Sequence, residues 1–240
     1  AVEYHGLIWH STAFTTDPLR DSVKHKEAAE LGVRVIHIYQ DEWANKKDVV
    51  KRTLLSAIGL LPKLFARKTV VSLIDNRAAN AFYRTNHLQG SANPTVSLGL
   101  YHDESLVAAM SFGMCRSIRT NIDKGLWELQ RYAASLSVVG GAGRLLKNFL
   151  DLDLCHTLVS YSDNRLFSGN MYKELGFTLE HETDPDYCYV TNSLKDGRVH
   201  KSKFQRKHLP SKLKSFDPEK TEVENCRDNG WYQLFDCGKK

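Results

Sequence analysis

Between Leu31 and Leu61 the sequence reads LGVRVIHIYQDEWANKKDVVKRTLLSAIGLL, and the spacing of its apolar residues changes once. Val33 to Gln40 alternates β-branched residues with Arg34 and His37, the period of a pleated strand. From Asp41 the spacing becomes that of a helix reaching about Leu60. A strand running straight into a helix confines the chain to an α/β arrangement. The residues before it repeat the order. Val2 to Trp9 suits a strand, Asp17-Pro18 offers an N-cap with proline at the first helical position, and Gly32 offers a stop. Two strands bounding one helix favour parallel neighbours.

A second series follows Pro62. It holds a strand at Val70 to Leu73, a helix from Asn76 to about Asn86, a hairpin turning at Asp103-Glu104 and a strand in LWELQRYAAS. In VVGGAGRLLKNFL, Ala142, Leu145, Leu146, Phe149 and Leu150 fall at helical spacing behind a glycine-rich loop. A strand from Thr157 to Ser162, a helix from Ser168 to Leu175 and a closing strand pair over Thr178 to Val190 complete the series, with no internal repeat. At 240 residues the chain has room for two cores. The expected division is 1–62, 68–192 and a basic C-terminal tail over 193–240.

Hydrophobic residues make up 42% and charged residues 25%, which argues against wholesale disorder. The net charge of +5 permits a nucleic-acid partner without requiring one. Five scattered cysteines with no CxxC spacing argue against a disulfide framework or a structural zinc quartet, and lead us to expect an intracellular, reducing setting. No apolar run approaches membrane-spanning length and no signal peptide is visible, so no membrane partner is expected. The tail segment KDGRVHKSKFQRKHLPSKLK carries Lys195, Arg198, Lys201, Lys203, Arg206, Lys207, Lys212 and Lys214 against Asp196, with Phe204 among the cations. It reads either as a solvated, partly disordered charge run or as a strip that tracks DNA phosphates.

The opening AVEYHGLIWHS raises a chemical question. Cleaving a phosphodiester with a hard divalent cation needs carboxylate ligands and a group that shuttles protons near neutral pH. Glu3 and His5 share a strand face, whereas His10 points away unless the chain bends at Gly6 or the strand ends near Trp9. Asp41 and Glu42 close the second strand, where carboxylates of parallel neighbours would meet. Ordinary solvated polar residues are the other reading. EYHGLIWHS, a helix bearing Lys24 and Lys26, and LGVRVIHIYQDEWANKKDVVK together resemble phage and mobile-element homing endonucleases related to the very-short-patch mismatch-repair nuclease, over about Ala1 to Leu61. The resemblance implies a restriction-endonuclease-like α/β core that cuts DNA. Glu3, His5 and His10 would be catalytic, Glu3 would also bind magnesium or manganese, and Trp9 would lie beside the site. The family's upstream aspartate and the helix before it have no counterpart because the chain starts too late, so an incomplete site and feeble hydrolysis are expected.

A glycine-rich loop opening a helix can hold a pyrophosphate on its amides, and Gly140, Gly141 and Gly143 fit that need or simply a tight turn. The hairpin, the loop and helix, and NMYKELGF resemble the GNAT acyltransferase fold, and within it phage Mu Mom-type DNA modification proteins, over about Val70 to Val190. The resemblance implies acetyl-coenzyme A bound at Gly140, Gly141, Gly143 and Arg144, with His87, Arg131, Asp163 and Tyr172 as functional residues. Ser137 stands where many such enzymes carry arginine or glutamine. Each residue also has a structural role open to it: His87 as a helix cap, Arg131 as a cross-strand partner of Glu128, Tyr172 as core. The combined expectation is an α/β (α+β) protein, a truncated nuclease-like unit followed by a GNAT-like mixed-sheet domain and a basic tail. Its expected role is phage-type DNA processing with metal-dependent cleavage, in the host cytoplasm if phage-encoded. The alternatives are acyl-type transfer to DNA bases and a non-catalytic DNA-binding or virion-associated scaffold. Oligomeric state stays open.

Overall fold

The computed structural model describes residues 1–115 and 125–240. The chain opens with β1 (Val2–His5), α1 (Arg20–Glu30), β2 (Ile36–Tyr39), α2 (Gln40–Asn45) and α3 (Lys47–Ala57). It continues with β3 (Lys63–Phe65), β4 (Val70–Leu73), α4 (Asn76–Asn86), β5 (Val96–His102), β6 (Ser105–Met114), β7 (Leu126–Ala134) and β8 (Ser137–Val139). After these come α5 (Gly141–Leu150), β9 (Thr157–Ser160), α6 (Asn170–Glu174) and β10 (Tyr187–Val190). The C-terminal part holds β11 (Val199–His200), α7 (Leu209–Lys212), α8 (Glu222–Asp228) and β12 (Tyr232–Phe235). Helices and mixed sheets together make this an α/β protein. Among the described residues no helix is long and apolar enough to cross a membrane.

Two compact units emerge, and their boundaries fall elsewhere than residues 62 and 192. The first unit takes 1–45, 162–170 and 178–240, and the second takes 46–161 and 171–177. The reason lies in β10. It was expected to close the sheet of the second series, but it hydrogen-bonds to β11 on one side and β12 on the other. The C-terminal residues are therefore folded rather than a loose tail. Phe204 is fully buried with Tyr189, Leu209, Leu213 and Cys226. The helix expected from Asp41 to about Leu60 is two helices, because Lys46 leaves helical geometry at φ −138 and ψ 36.

In the first unit β1 and β2 pair in parallel, with Glu3 opposite His37 and His5 opposite Tyr39. β1 wears its polarity inside out: Val2 and Tyr4 are exposed, while His5 is buried and Glu3 is half-buried. A strand that faces its acid and imidazole inward marks a place where polar groups have partners.

The second unit is built on a five-stranded sheet ordered β4-β5-β6-β7-β9, antiparallel except for the β7–β9 pair. The β5–β6 hairpin turns at Asp103 and Glu104, both with positive φ. Asp75 caps α4 by accepting from Ala78 N at 2.7 Å. Ala109 packs with α4 residues Ala79, Phe82 and Tyr83, whereas its strand neighbours Ala108 and Met110 pack with α5 residues Leu145, Leu146 and Phe149. Adjacent strand residues point to opposite faces, so the two helices cover the two faces of one sheet. The β7–β9 pairing stops at Leu129 and Ser160 although β7 runs on to Ala134.

Candidate metal centre

The polar side chains of β1 meet those of α1 and β2 in the first unit. β1 ends at His5 and the chain turns at once, His10 N donating to Gly6 O at 3.2 Å. That turn returns His10 to His5, the bend the strand parity required. Their Nδ1 atoms lie 2.9 Å apart. Asp21, in the first turn of α1, places Oδ2 at 2.7 Å from His10 Nδ1 and 3.2 Å from His5 Nδ1. On the other side of the His5 ring, Nε2 lies 2.9 Å from His37 Nδ1, and His37 Nε2 lies 3.2 Å from His25 Nδ1. Glu3 Oε2 stands 3.7 Å from both His5 Nε2 and His37 Nδ1, and its other oxygen is bonded to Lys24. Four imidazoles thus form one chain between Asp21 and the half-buried His25, with His5 and His37 each 1% exposed.

Charge follows from these contacts. Burial alone would raise the Asp21 carboxyl, but hydrogen bonds to His10 and His5 outweigh it and hold the group far below the usual carboxylate range. Glu3 is lowered too, burial being outweighed by the Lys24 hydrogen bond and charge. His37 is pushed down to about 4 by burial and then by the neighbouring His5 and His25. Its ring is therefore neutral and able to serve as a ligand at neutral pH.

Three donor groups can be drawn within this array: His5, His10 and Asp21; Glu3, His5 and His37; His25, His37 and Cys237. The first is the tightest. A cation with ligands at about 2.0–2.2 Å separates neighbouring ligand atoms by about 2.9–3.4 Å, and the edges 2.7, 2.9 and 3.2 Å come close to that range. Two nitrogens and one carboxylate oxygen suit manganese better than magnesium, which prefers oxygen throughout. Arg20 Nε lies 3.5 Å from Asp21 Oδ1, Lys24 pairs with Glu3, and both cations are exposed, while Trp9 is exposed and packs on Phe14 at 4.4 Å.

Asp41 and Glu42 are committed elsewhere. Glu42 receives Arg165 at 2.7 and 2.9 Å and Arg198 at 2.7 Å, while Asp41 receives Arg198 Nε at 3.0 Å. Asp163 belongs to the same first-unit network, 3.0 Å from Arg165 Nε. Both guanidiniums lie over the Tyr39 ring. Arg198, expected to contact phosphate, is thereby spent on carboxylates. Lys201 pairs with Asp186, Arg206 donates to Pro218 O, and Lys212 lies over Phe204. Lys195, Lys203, Lys207 and Lys214 are exposed.

In the second unit, His87 closes α4, its N donating to Tyr83 O at 2.9 Å and its Nδ1 accepting from Gln89 N at 3.1 Å. Arg131 Nε donates to Gly90 O at 3.2 Å. Tyr172 accepts from Ser160 at 3.0 Å and packs on the core beside Phe177. Gly140 sits at φ +76, and a Cβ on Gly141 would meet Val138 at 2.8 Å, so both glycines are needed by the turn itself. Arg144 donates to Ala66 O at 2.8 Å.

Asp21, His25, His37, Cys237 and Arg165 were not singled out from the sequence. No family model matches the chain, and a search of curated proteins returns no match.

Proposed function

We propose that the chain is a metal-dependent DNA endonuclease whose cation is held by Asp21, His5 and His10. The observation that carries this reading is the convergence of three heteroatoms within 3.2 Å of one another, an arrangement that a single positive centre satisfies. A divalent cation there would polarise a phosphate oxygen and acidify a bound water. Glu3, paired with Lys24, stands 3.7 Å from His5 Nε2 and would orient that imidazole from the side away from the cation. His10, the more exposed of the two imidazole ligands, leaves the centre open to solvent on its side. Arg20 and Lys24 supply exposed positive charge that attracts a phosphodiester. DNA as substrate rests on the resemblance of the opening segments to homing endonucleases, and an intracellular setting accords with five free thiols.

The test is cleavage of supercoiled plasmid by the purified chain with manganese. Wild-type protein should nick it, Asp21→Asn should abolish nicking, and His10→Gln, which removes a ligand, should raise the manganese concentration that nicking requires. Nicking that survives Asp21→Asn undiminished overturns the assignment.

A second reading, acyl-type transfer to DNA bases from acetyl-coenzyme A, is supported by two separate features, the early end of the β7–β9 pairing and the glycine-led start of α5. Calorimetry with acetyl-coenzyme A decides it. Heat of binding supports an enzyme, and none leaves the second unit as a scaffold.

A further inference from the structure

A thiol lies at the far end of the imidazole chain. Cys237 follows β12 and is 4% exposed, and its Sγ donates weakly to Asp21 O at 3.9 Å. The backbone around it is fixed. Asn164 Nδ2 donates to Cys237 O at 3.3 Å and Asn164 N to Gly238 O at 3.2 Å, while Ser162 and Lys240 exchange bonds at 2.7 and 3.0 Å. Gly238 is at φ +74, and a Cβ there would meet Thr183 O at 2.4 Å, so only glycine lets the chain pass and present the thiol at this point. His25 Nδ1 and His37 Nε2 converge on the same place at 3.2 Å from each other, and one ligand atom from each of the three residues lies within 4.8 Å of the others.

We propose that His25, His37 and Cys237 form a second cation site, distinct from the Asp21 centre, that binds zinc. The nitrogen separation is close to the roughly 3.3 Å edge of a tetrahedral zinc site with bonds of about 2.0–2.1 Å. Two imidazoles and a thiolate are borderline-to-soft donors, which select zinc over magnesium or calcium. His37 is held in place by its Nδ1 contact with His5 Nε2 at 2.9 Å, the outer-shell support a ligating imidazole needs. His25 is half-buried and gives the ion a way in. On binding, the S–H bond breaks, the sulfur–zinc bond forms and the proton leaves to solvent. Three protein ligands leave a fourth position for water. The ion would tie α1, β2 and the segment after β12 together, so occupancy stabilises the first unit.

Cobalt reports on such a site because a thiolate ligand gives it a charge-transfer band in the near ultraviolet. Full-length protein stripped with chelator and titrated with cobalt should develop that band and saturate at one equivalent of sulfur-bound metal. Cys237→Ser should abolish it, His25→Gln should weaken binding at least about tenfold, and Asp21→Asn should retain it. Zinc should raise the thermal midpoint of wild-type protein by more than that of Cys237→Ser. Should Cys237→Ser fail to fold, the half-buried His25→Gln decides by itself. No band in wild-type protein, or a band that survives Cys237→Ser, overturns the site. Neither outcome bears on plasmid cleavage, which reads the Asp21 centre.

Discussion

Arg165 shows what a single buried charge does in this molecule. The residue is 4% exposed, and its guanidinium faces Glu42 at 2.7 and 2.9 Å and Asp163 at 3.0 Å. Removing it would leave Asp163 without its cation and Glu42 with Arg198 alone. Arg165→Ala should therefore destabilise the first unit by about 3–5 kcal/mol, measured by denaturant unfolding. The pH dependence carries a sign. Burial would raise Glu42, but Arg165 and Arg198 outweigh it and hold the carboxyl below its ordinary 4.5. A carboxylate lowered in the folded state binds fewer protons there than in the unfolded chain. Its stabilisation is present above the ordinary value and is lost as pH falls through the lowered one. The stability advantage of wild type over Glu42→Gln should accordingly shrink toward acid, and a gap that widens there would contradict the pairing.

At the scale of elements, the C-terminal segment governs how DNA binding is to be tested. Deleting Lys195 to Lys214 would remove Phe204, Leu209 and Leu213 from a core, so loss of binding after deletion would report unfolding. Phe204→Ala alone should cost about 3–5 kcal/mol. The informative variant replaces exposed Lys203, Lys207 and Lys214 with glutamine. If they touch phosphates, the slope of log affinity against log salt should fall by about 0.9 for each phosphate no longer neutralised. An unchanged slope would make them solvated charges. The sequence made the strands β1 and β2, their parallel pairing, α4 and the β5–β6 hairpin legible, because each rests on local periodicity and capping. It hid the fold of the C-terminal segment, since Phe204, Leu209 and Leu213 are dispersed among lysines and their partners Tyr189 and Cys226 are distant in the chain. It hid the break at Lys46 as well, where apolar spacing runs on through residues that leave the helix.

At the scale of the whole molecule, the site was half legible. Glu3, His5 and His10 stand together in the opening segment, and their type and spacing already suggest a metal and a proton carrier. Asp21 and His37 join them through the α1 turn and the register of β1 on β2, which no local spacing encodes. On the proposed reading, Asp21 on a helix would take the part of the carboxylate that the resemblance to nucleases led us to expect upstream. The residues expected in the second unit have gone to capping, bracing and packing, while Asp163 joined the arginine network of the first.

The central claim is that the Asp21, His5 and His10 triangle takes a divalent cation. It is tested most directly by the anomalous difference map of crystals soaked in manganese. The account predicts a peak bonded to Asp21 Oδ2, His5 Nδ1 and His10 Nδ1 at about 2.0–2.2 Å from each. A fully soaked crystal with no peak at that triangle, or with manganese ligated only by other side chains, would contradict it.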